Sequence, residues 1–404
     1  MLYSKRMDKI DEVLTRGVEK IYPNRGALEK VLRSGKKIRL YQGFDPSTPN
    51  LHIGHLVGLL KLAAFQKLGH EVIFLIGDFT AMIGDPTGKI KGARPMLTRQ
   101  EVLKNVKTYK EQAGKILNFS GKNPAKLKYN STWLGKLNAA KVAELMRLIT
   151  YAQIIERDMF QERIKRGKDI YLNELFYPLL QAYDSVHMDV DLEIGGSDQM
   201  FNMMVGRDLM KKLKGKEKFV MTTKLLVDSQ GNKIGKTEGN VINIAAQPFQ
   251  FYSQIMSLPD EAILPCFELI TNVPLEEVKK IKQIIEKGEN SMIYKKRLAF
   301  ELTKMLNNKL LAIKAQKEFE RVFQKRRLPS KIGRWQVAGG RWNIVDLLME
   351  TKLCSSRSEA KRLVKQGGVE IDNKKLRIAN CELRIKDGMV IRAGKKRFIR
   401  LKVL

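Results

Sequence analysis

The chain has 404 residues, 43% of them apolar, and carries 75 Lys/Arg against 43 Asp/Glu for a net charge of +32. That length and apolar content exclude a disordered chain and suffice for two or three domains with their own cores. Three widely spaced cysteines (Cys266, Cys354 and Cys381) exclude a CxxC zinc site and a disulfide framework, and no apolar run approaches the roughly 18 residues of a membrane span.

The first stretch, MLYSKRMDKIDEVLTRG, contains acids and lacks the apolar centre of a signal peptide. The expected location is a reducing cytoplasm, with no membrane. Residues 3–37 mix charged and apolar positions at helical spacing, which predicts one or two amphipathic helices on the core. Ile38, Leu40 and Phe44 predict a short strand. Pro46 and Pro49 then break the chain, and Asn50 is placed to cap a helix over 51–68. In that helix His52 and His55, two of the four histidines, share one face at the end where backbone N–H groups attract anions. Gly54 between them would let a flat ligand approach the backbone.

Residues 71–77 (EVIFLIG) read as a buried parallel strand. Strand, helix, strand opens a doubly wound α/β fold, whose ligands sit beyond the C-terminal strand ends. The loop 78–89 continues through Lys91 and Arg94. It has turn-forming glycines and cations able to hold phosphates, but not the GxxxxGK[ST] spacing, and an ordinary surface turn fits it as well. Residues 98–170 read as a helical insertion, with Thr98 and Glu101 forming a capping box. A lid, an interface and a substrate surface all fit it.

In 174–184 (ELFYPLLQAYD) a helix is expected to start at Pro178. Tyr177, Gln181 and Asp184 fall at i, i+4 and i+7, on one face, which suits either solvent or a ligand. Residues 190–194 predict another strand, running into the turn Gly195-Gly-Ser-Asp-Gln199. The glycine-rich loop 228–240 sets Lys233 and Lys236 beside Gly235 and Thr237. Such lysines are either solvated or able to close on a polyphosphate. Residues 248–328 read as helical. A linker is expected before a small α+β unit that starts at Trp342. Residues 311–404 hold 25 Lys/Arg against 9 Asp/Glu, half of the net charge. The predicted helix 356–366 carries Arg357, Lys361, Arg362 and Lys365. A phosphate-bearing partner accounts for this tail, although a lysine-rich proteome would also raise the total.

His52-Ile-Gly-His55 resembles the first signature of the class I aminoacyl-tRNA synthetases, and Lys233-Ile-Gly-Lys-Thr237 resembles a variant of the second, Lys-Met-Ser-Lys-Ser. The ordered set YQGFDP, LHIGH, GDPTGK, YPLLQAYD and GGSDQ is similar to bacterial tyrosyl-tRNA synthetases from end to end. The resemblance implies a Rossmann-like catalytic domain over 1–240 with the helical insertion at about 98–170. It further implies a helical anticodon-binding domain over 241–328, a linker over 329–341, and an RNA-binding domain of the ribosomal S-four type over 342–404. It implies tyrosine, ATP with Mg²⁺, and tRNA(Tyr) as ligands, and a homodimer with its interface at about 125–165.

The resemblance also implies roles. Tyr41 and Asp184 would bracket the substrate hydroxyl, while Asp85, Tyr177 and Gln181 would hold its ammonium group. Asp45 and Gln199 would lie near its carboxylate. Ser47 and His52 would meet the ATP γ-phosphate, His55 and Asp198 the ribose, and Gly54 the adenine. Lys89, Arg94, Lys233, Lys236 and Thr237 would close over pyrophosphate. Two rival readings are a tryptophanyl-tRNA synthetase, opposed by Tyr41 with Asp184, and an RNA-binding protein without catalysis, opposed by the intact His52, His55, Lys233 and Lys236.

Overall fold

The structure, a computed structural model, describes residues 8–87, 96–228, 230–237, 240–324, 332–372, 374–376, 381–394 and 397–404; at 236, 237, 240 and 324 it describes the backbone alone. The chain forms two compact units, Met1–Gln316 and Lys317–Leu404.

In the first unit, β1 (Val18–Tyr22), β2 (Arg39–Phe44), β3 (Glu71–Ile76), β4 (Lys126–Tyr129), β5 (Leu192–Gly196) and β6 (Phe219–Thr223) form one sheet in the order β1-β6-β5-β2-β3-β4. All neighbours are parallel except β1 and β6. The chain winds outward from β2 through β3 to β4, then returns to β5 on the other side of β2. Strand order therefore reverses between β2 and β5, where loops part and leave a crevice. This is the doubly wound sheet that the sequence predicts. Strand β3 is buried beyond its first residue, as its unbroken apolar run requires. Strand β2 alternates faces. Tyr41 reaches Ser185 on the helix Leu172–Met188, whereas Gln42 turns to the helix His55–Lys67, where a Cβ on Gly58 would fall 2.0 Å from its Oε1.

Several local expectations are corrected. The amphipathic helices Lys9–Thr15 and Arg25–Arg33 form, capped by Asp8 and Asn24, but the residues between them pair with β6 as β1. Five residues are too few for periodicity to separate strand from helix. The helix expected at Asn50 begins at His55, with Gly54 at its N-cap. Residues 51–53 are held extended instead: Ile53 N–H donates to Ile242 O at 3.0 Å and Ile244 N–H to Leu51 O at 3.0 Å. The stretch 98–170 is not all helical, because its Lys-Leu-Lys-Tyr segment joins the sheet as β4. Alternating lysines on a short edge strand read as a solvated surface.

The helix Leu172–Met188 begins ahead of Pro178, which lies inside it. Glu174 holds that first turn. Its carboxylate accepts from the Tyr171 N–H and takes both Arg163 guanidinium N–H groups, at 2.7 and 2.8 Å. The pair is buried. The rest of this unit includes the helices Pro248–Met256, Ile263–Ile270, Leu275–Glu286 and Ser291–Leu306. Arg16 ties them to the N-terminal segment by donating to the carbonyls of Phe267, Glu268 and Val273. Lys61, on the helix His55–Lys67, donates to the carbonyls of Val13 and Arg16, both at 2.6 Å. Burial pushes its amine down to about 7.

A small ribbon follows β6, made of β7 (Lys236–Thr237) and β8 (Asn240–Val241). In the second unit β9 (Gly333–Val337), β10 (Arg341–Asn343), β11 (Val369–Ile371), β12 (Lys374–Leu376), β13 (Glu382–Arg384), β14 (Val390–Ala393) and β15 (Arg397–Val403) accompany the helices Ile344–Glu350 and Arg357–Lys365. One sheet runs β12-β11-β14-β15-β9 and a second pairs β10 with β13. Ile344, Leu348, Val364, Val369 and Ile391 centre its core. The expected linker thus contributes an edge strand: β9 runs parallel to β15 and buries Val337. Arg357, Lys361, Arg362 and Lys365 are exposed. Among the described residues no helix is long and apolar enough to cross a membrane.

Breaking a buried ion pair strands a charge, whereas replacing both partners need not. Glu174→Ala is expected to lower stability by about 3–5 kcal/mol in urea unfolding. The double variant Arg163→Met/Glu174→Leu is expected to recover most of that loss.

Candidate active site

A cleft of about 270 Å³ opens at the C-terminal ends of β2 and β5. Tyr41, Asp45, Ser47, His52, Gly54, His55, Asp85, Tyr177, Gln181, Asp184, Asp198, Gln199 and Lys233 all line it. These are all the sequence-predicted site residues whose side chains are described. Lys236 and Thr237 have backbone positions only, in β7, while Lys89 and Arg94 lie outside the described residues.

One end is dry. Tyr41 and Asp184 are 1% and 2% exposed. The Tyr41 hydroxyl lies 2.8 Å from Ser185 Oγ. Asp184 accepts from Trp133 Nε1 at 2.8 Å and from Asn130 Nδ2 at 3.2 Å. Burial pushes the Asp184 carboxyl well above the usual carboxylate range, and it pushes the Tyr41 and Tyr177 hydroxyls up from theirs. Tyr177 donates to Asp45 Oδ2 at 2.9 Å and Thr80 to Asp45 Oδ1 at 2.8 Å. Gln199 Nε2 donates to Asp85 Oδ2 at 2.7 Å. Gln181 gives its amide N–H to Glu193 Oε1 at 3.0 Å, and its own Oε1 is buried with no protein partner.

The other end is wetter. Lys233 Nζ lies 2.9 Å from Asp198 Oδ2, with side chains 50% and 28% exposed. The His52 and His55 rings stack with centroids 3.8 Å apart. His55 Nδ1 accepts from the His52 N–H at 3.0 Å, and His52 Nδ1 accepts from the Gly54 N–H at 3.1 Å. An acceptor nitrogen carries no proton, so both neutral rings keep theirs on Nε2. The pair therefore carries two N–H donors. Gly54 has a further reason to lack a side chain: a Cβ there would lie 2.9 Å from His52 Cε1.

Comparisons with known proteins show the family. Residues 33–324 match the family described as tRNA synthetases class I (W and Y), and residues 324–401 match the tyrosine–tRNA ligase SYY-like C-terminal domain. The tyrosine–tRNA ligase of Dehalococcoides mccartyi (strain CBDB1) is 41% identical over 394 residues, which cover 97% of this chain and 98% of the relative. That of Thermotoga maritima is 41% identical over 392 residues, 96% of each chain.

The chain belongs to the class I tyrosyl-tRNA synthetases. It is therefore a tyrosine–tRNA ligase. Among solved structures, a C-terminally truncated Aspergillus nidulans mitochondrial tyrosyl-tRNA synthetase shares the fold, with a TM-score of 0.66, 22% identity, and coverage of 79% of this chain and 95% of that one. The Archaeoglobus fulgidus tyrosyl-tRNA synthetase complexed with L-tyrosine does so with a TM-score of 0.58, 22% identity, and coverage of 76% and 98%.

As a tyrosyl-tRNA synthetase, the chain departs from the general second signature at Gly235, and the structure gives the reason. Gly235 has φ +70°, and a Cβ there would lie 2.6 Å from Ile53 Cδ1. Its carbonyl accepts from the Ile242 N–H at 3.1 Å, and the Ile242 carbonyl accepts from the Ile53 N–H at 3.0 Å. The lysine loop and the histidine signature are thus joined through Ile242.

Sequence reasoning missed the residues behind the site. Asn130 and Trp133 follow β4 and hold Asp184; Thr80 holds Asp45. Arg157 donates to Thr87 Oγ1 at 3.0 Å and packs over the Phe201 ring. Ser185, Glu193 and Lys218 lie behind Tyr41. One signal was available: Glu193 is a charge inside an otherwise apolar strand. Replacing Gly235 by Ala places a Cβ in both a disfavoured conformation and an occupied space. The variant is expected to be less stable by about 1–3 kcal/mol in chemical denaturation, and slower in ATP–pyrophosphate exchange because Ile53 is pushed beside His52.

Proposed function

We propose that the dry end of the cleft binds tyrosine and the wet end ATP. The reading is carried by the convergence of the described signature residues in one cleft, graded from buried Tyr41 and Asp184 to exposed Lys233. Tyr41 and Asp184 bracket the phenolic hydroxyl. Asp85, Tyr177 and the Gln181 carbonyl hold the ammonium group, while Asp45 and Gln199 stand nearer the carboxylate. Ser47 and His52 meet the γ-phosphate, His55 and Asp198 the ribose, and Gly54 the adenine.

The tyrosine carboxylate oxygen bonds to the α-phosphorus as the bridging P–O bond breaks, and pyrophosphate leaves with the electron pair. Charge develops on the departing phosphates. Donors and cations placed there lower the barrier more than they stabilise the bound substrate. The Nε2–H groups of His52 and His55 and the ammonium of Lys233 are such groups, with Lys236, Thr237, Lys89 and Arg94 completing the set. Mg²⁺ enters with ATP, held by phosphate oxygens and water. A ribose hydroxyl at the 3′ end of tRNA(Tyr) then attacks the carbonyl carbon, and AMP leaves.

For tRNA, the helical residues 241–328 contact the anticodon region, and the basic residues 342–404 make further contacts. The exposed Arg357, Lys361, Arg362 and Lys365 support the second assignment. A homodimer is supported by exposed apolar side chains in and beside the expected interface: Met146, Tyr151 (66%) and Ile164, then Tyr171 and Leu172 (75%). The buried, unpaired Cys266 and Cys354 suit the reducing cytoplasm where tRNA is charged.

ATP–pyrophosphate exchange measured with each of the twenty amino acids is expected to respond to tyrosine. Exchange with tryptophan alone would overturn the reading. Tyr41→Phe is expected to lower kcat/KM for tyrosine about tenfold, the value of one hydrogen bond, and Asp184→Ala to lower it further. In sedimentation, Tyr151→Glu is expected to shift the chain from dimer towards monomer; a wild-type monomer would refute the assembly.

A further inference from the structure

The helical insertion reaches the cleft through a side chain to which the reaction assigns no role. Arg157 stands at the N-cap of the helix Asp158–Lys165. Its carbonyl accepts from the Phe160 N–H at 2.8 Å and the Gln161 N–H at 3.1 Å, and further along the same helix Arg163 is locked by its buried pair with Glu174. The base of the side chain is therefore fixed. Its guanidinium packs over two aromatic rings, 4.7 Å from the centroid of Phe201 and 5.8 Å from that of Phe160. Nη2 then donates to Thr87 Oγ1 at 3.0 Å. Nη1 is buried and meets no acceptor among the described residues, so the guanidinium's hold on the cleft runs through Thr87.

Thr87 passes that hold to Asp85. The two residues form a turn closed by a side chain, in which Asp85 Oδ1 accepts from the Thr87 N–H at 2.9 Å. Asp85 Oδ2 accepts from Gln199 Nε2 at 2.7 Å, and Gln199 Oε1 in turn accepts from Asn202 Nδ2 at 2.9 Å. A carboxylate has about four lone-pair sites, so these two bonds orient Asp85 and still leave acceptor capacity. Asp85 and Thr87 both line the cleft. Phe201 and Asn202 lie on the helix Met200–Lys214, so one helix supports both the ring beneath Arg157 and the amide behind Gln199. Burial works against the guanidinium's charge, and Asp85 is the largest influence in its favour. A neutral threonine nevertheless stands between the two. Arg157 thus steadies the turn without occupying the lone pairs that an ammonium group needs.

We propose that Arg157 is a positioning residue for recognition of the substrate's ammonium group: it holds the turn from Asp85 to Thr87 so that the Asp85 carboxylate is presented to the cleft. The inference rests on the reading of Asp85 as a partner of that ammonium group. It gives the helical insertion a part in amino-acid binding. Loss of Arg157 weakens ligands that carry the ammonium group and spares those that lack it.

The test uses ATP–pyrophosphate exchange by the full chain with tyrosine as substrate and two competitive inhibitors. Tyramine keeps the ammonium group and lacks the carboxylate; 3-(4-hydroxyphenyl)propanoate keeps the carboxylate and lacks the ammonium group. Arg157→Met keeps a long side chain on the rings and loses the donor. It is expected to raise the KM for tyrosine and the Ki of tyramine about tenfold, the value of one hydrogen bond, with kcat little changed. The Ki of the propanoate is expected to stay at its wild-type value. A merely structural arginine would lower the melting temperature and shift all three constants together or none of them. Either pattern in a folded variant would overturn the proposal. If Arg157→Met does not fold, Thr87→Val decides by the same three constants, because it removes the acceptor and leaves the arginine on its rings. Asp85→Asn separates the inference from the reading beneath it. If that variant keeps the wild-type KM for tyrosine, the ammonium reading is wrong and the inference falls with it. If it raises KM while Arg157→Met does not, the inference alone is overturned.

Discussion

The register between β2 and β5 is the constraint on which the site depends. Leu40 faces Leu192 and Tyr41 faces Glu193 across that seam. It is also where the strand order reverses, so the crevice and the pairing are one feature. A slip of one residue would turn Tyr41 to the opposite face of the sheet. It would also separate Tyr41 from the serine that links it to Glu193. Leu40 and Leu192 are fully buried, so the apolar pattern that fixes the register also fixes the polar chemistry beside it.

Much of this site was legible in the sequence, because its parts are local. Tyr177, Gln181 and Asp184 share a helix face by their spacing, and the observed helix, which starts at Leu172 rather than Pro178, takes in all three. The glycine turn after β5 and the lysine loop after β6 carry their own composition signals. What escaped is non-local. Ser185, Glu193 and Lys218 come from a helix, a strand and the residue before a strand, and only the sheet's register brings them together. Asn130 and Trp133 follow an edge strand that its lysines disguise. The cap predicted at Asn50 failed for a similar reason: pairing with 242–244 holds 51–53 extended, and tertiary structure outweighs a local preference.

That failure bears on how the two signatures work together. Had the helix begun at Asn50, both histidines would have lain on it. Instead His52 lies on the extended segment and His55 on the first turn of the helix. The extended segment reaches the lysine loop through Ile242, with Gly235 packed against Ile53. A displacement of the loop is therefore felt by the segment that carries His52. The left-handed glycine has a structural basis here, because a residue with a Cβ would hold the two segments apart.

Charge is used in two different ways along the chain. Among the described residues of the last quarter, the lysines and arginines are largely exposed, and water and salt screen them. Their strength lies in number, which suits a polyanion whose many phosphates can each find a partner. The charges behind the cleft are few and dry. Lys218 and Glu193 satisfy one another, and Glu193 also accepts from Ser185 and Gln181. In a low dielectric such a pair stays fixed in orientation, and it imposes that orientation on every neutral group bonded to it. The exposed charges suit capture of a large substrate that must later be released. The buried pair holds the groups bonded to it in one orientation.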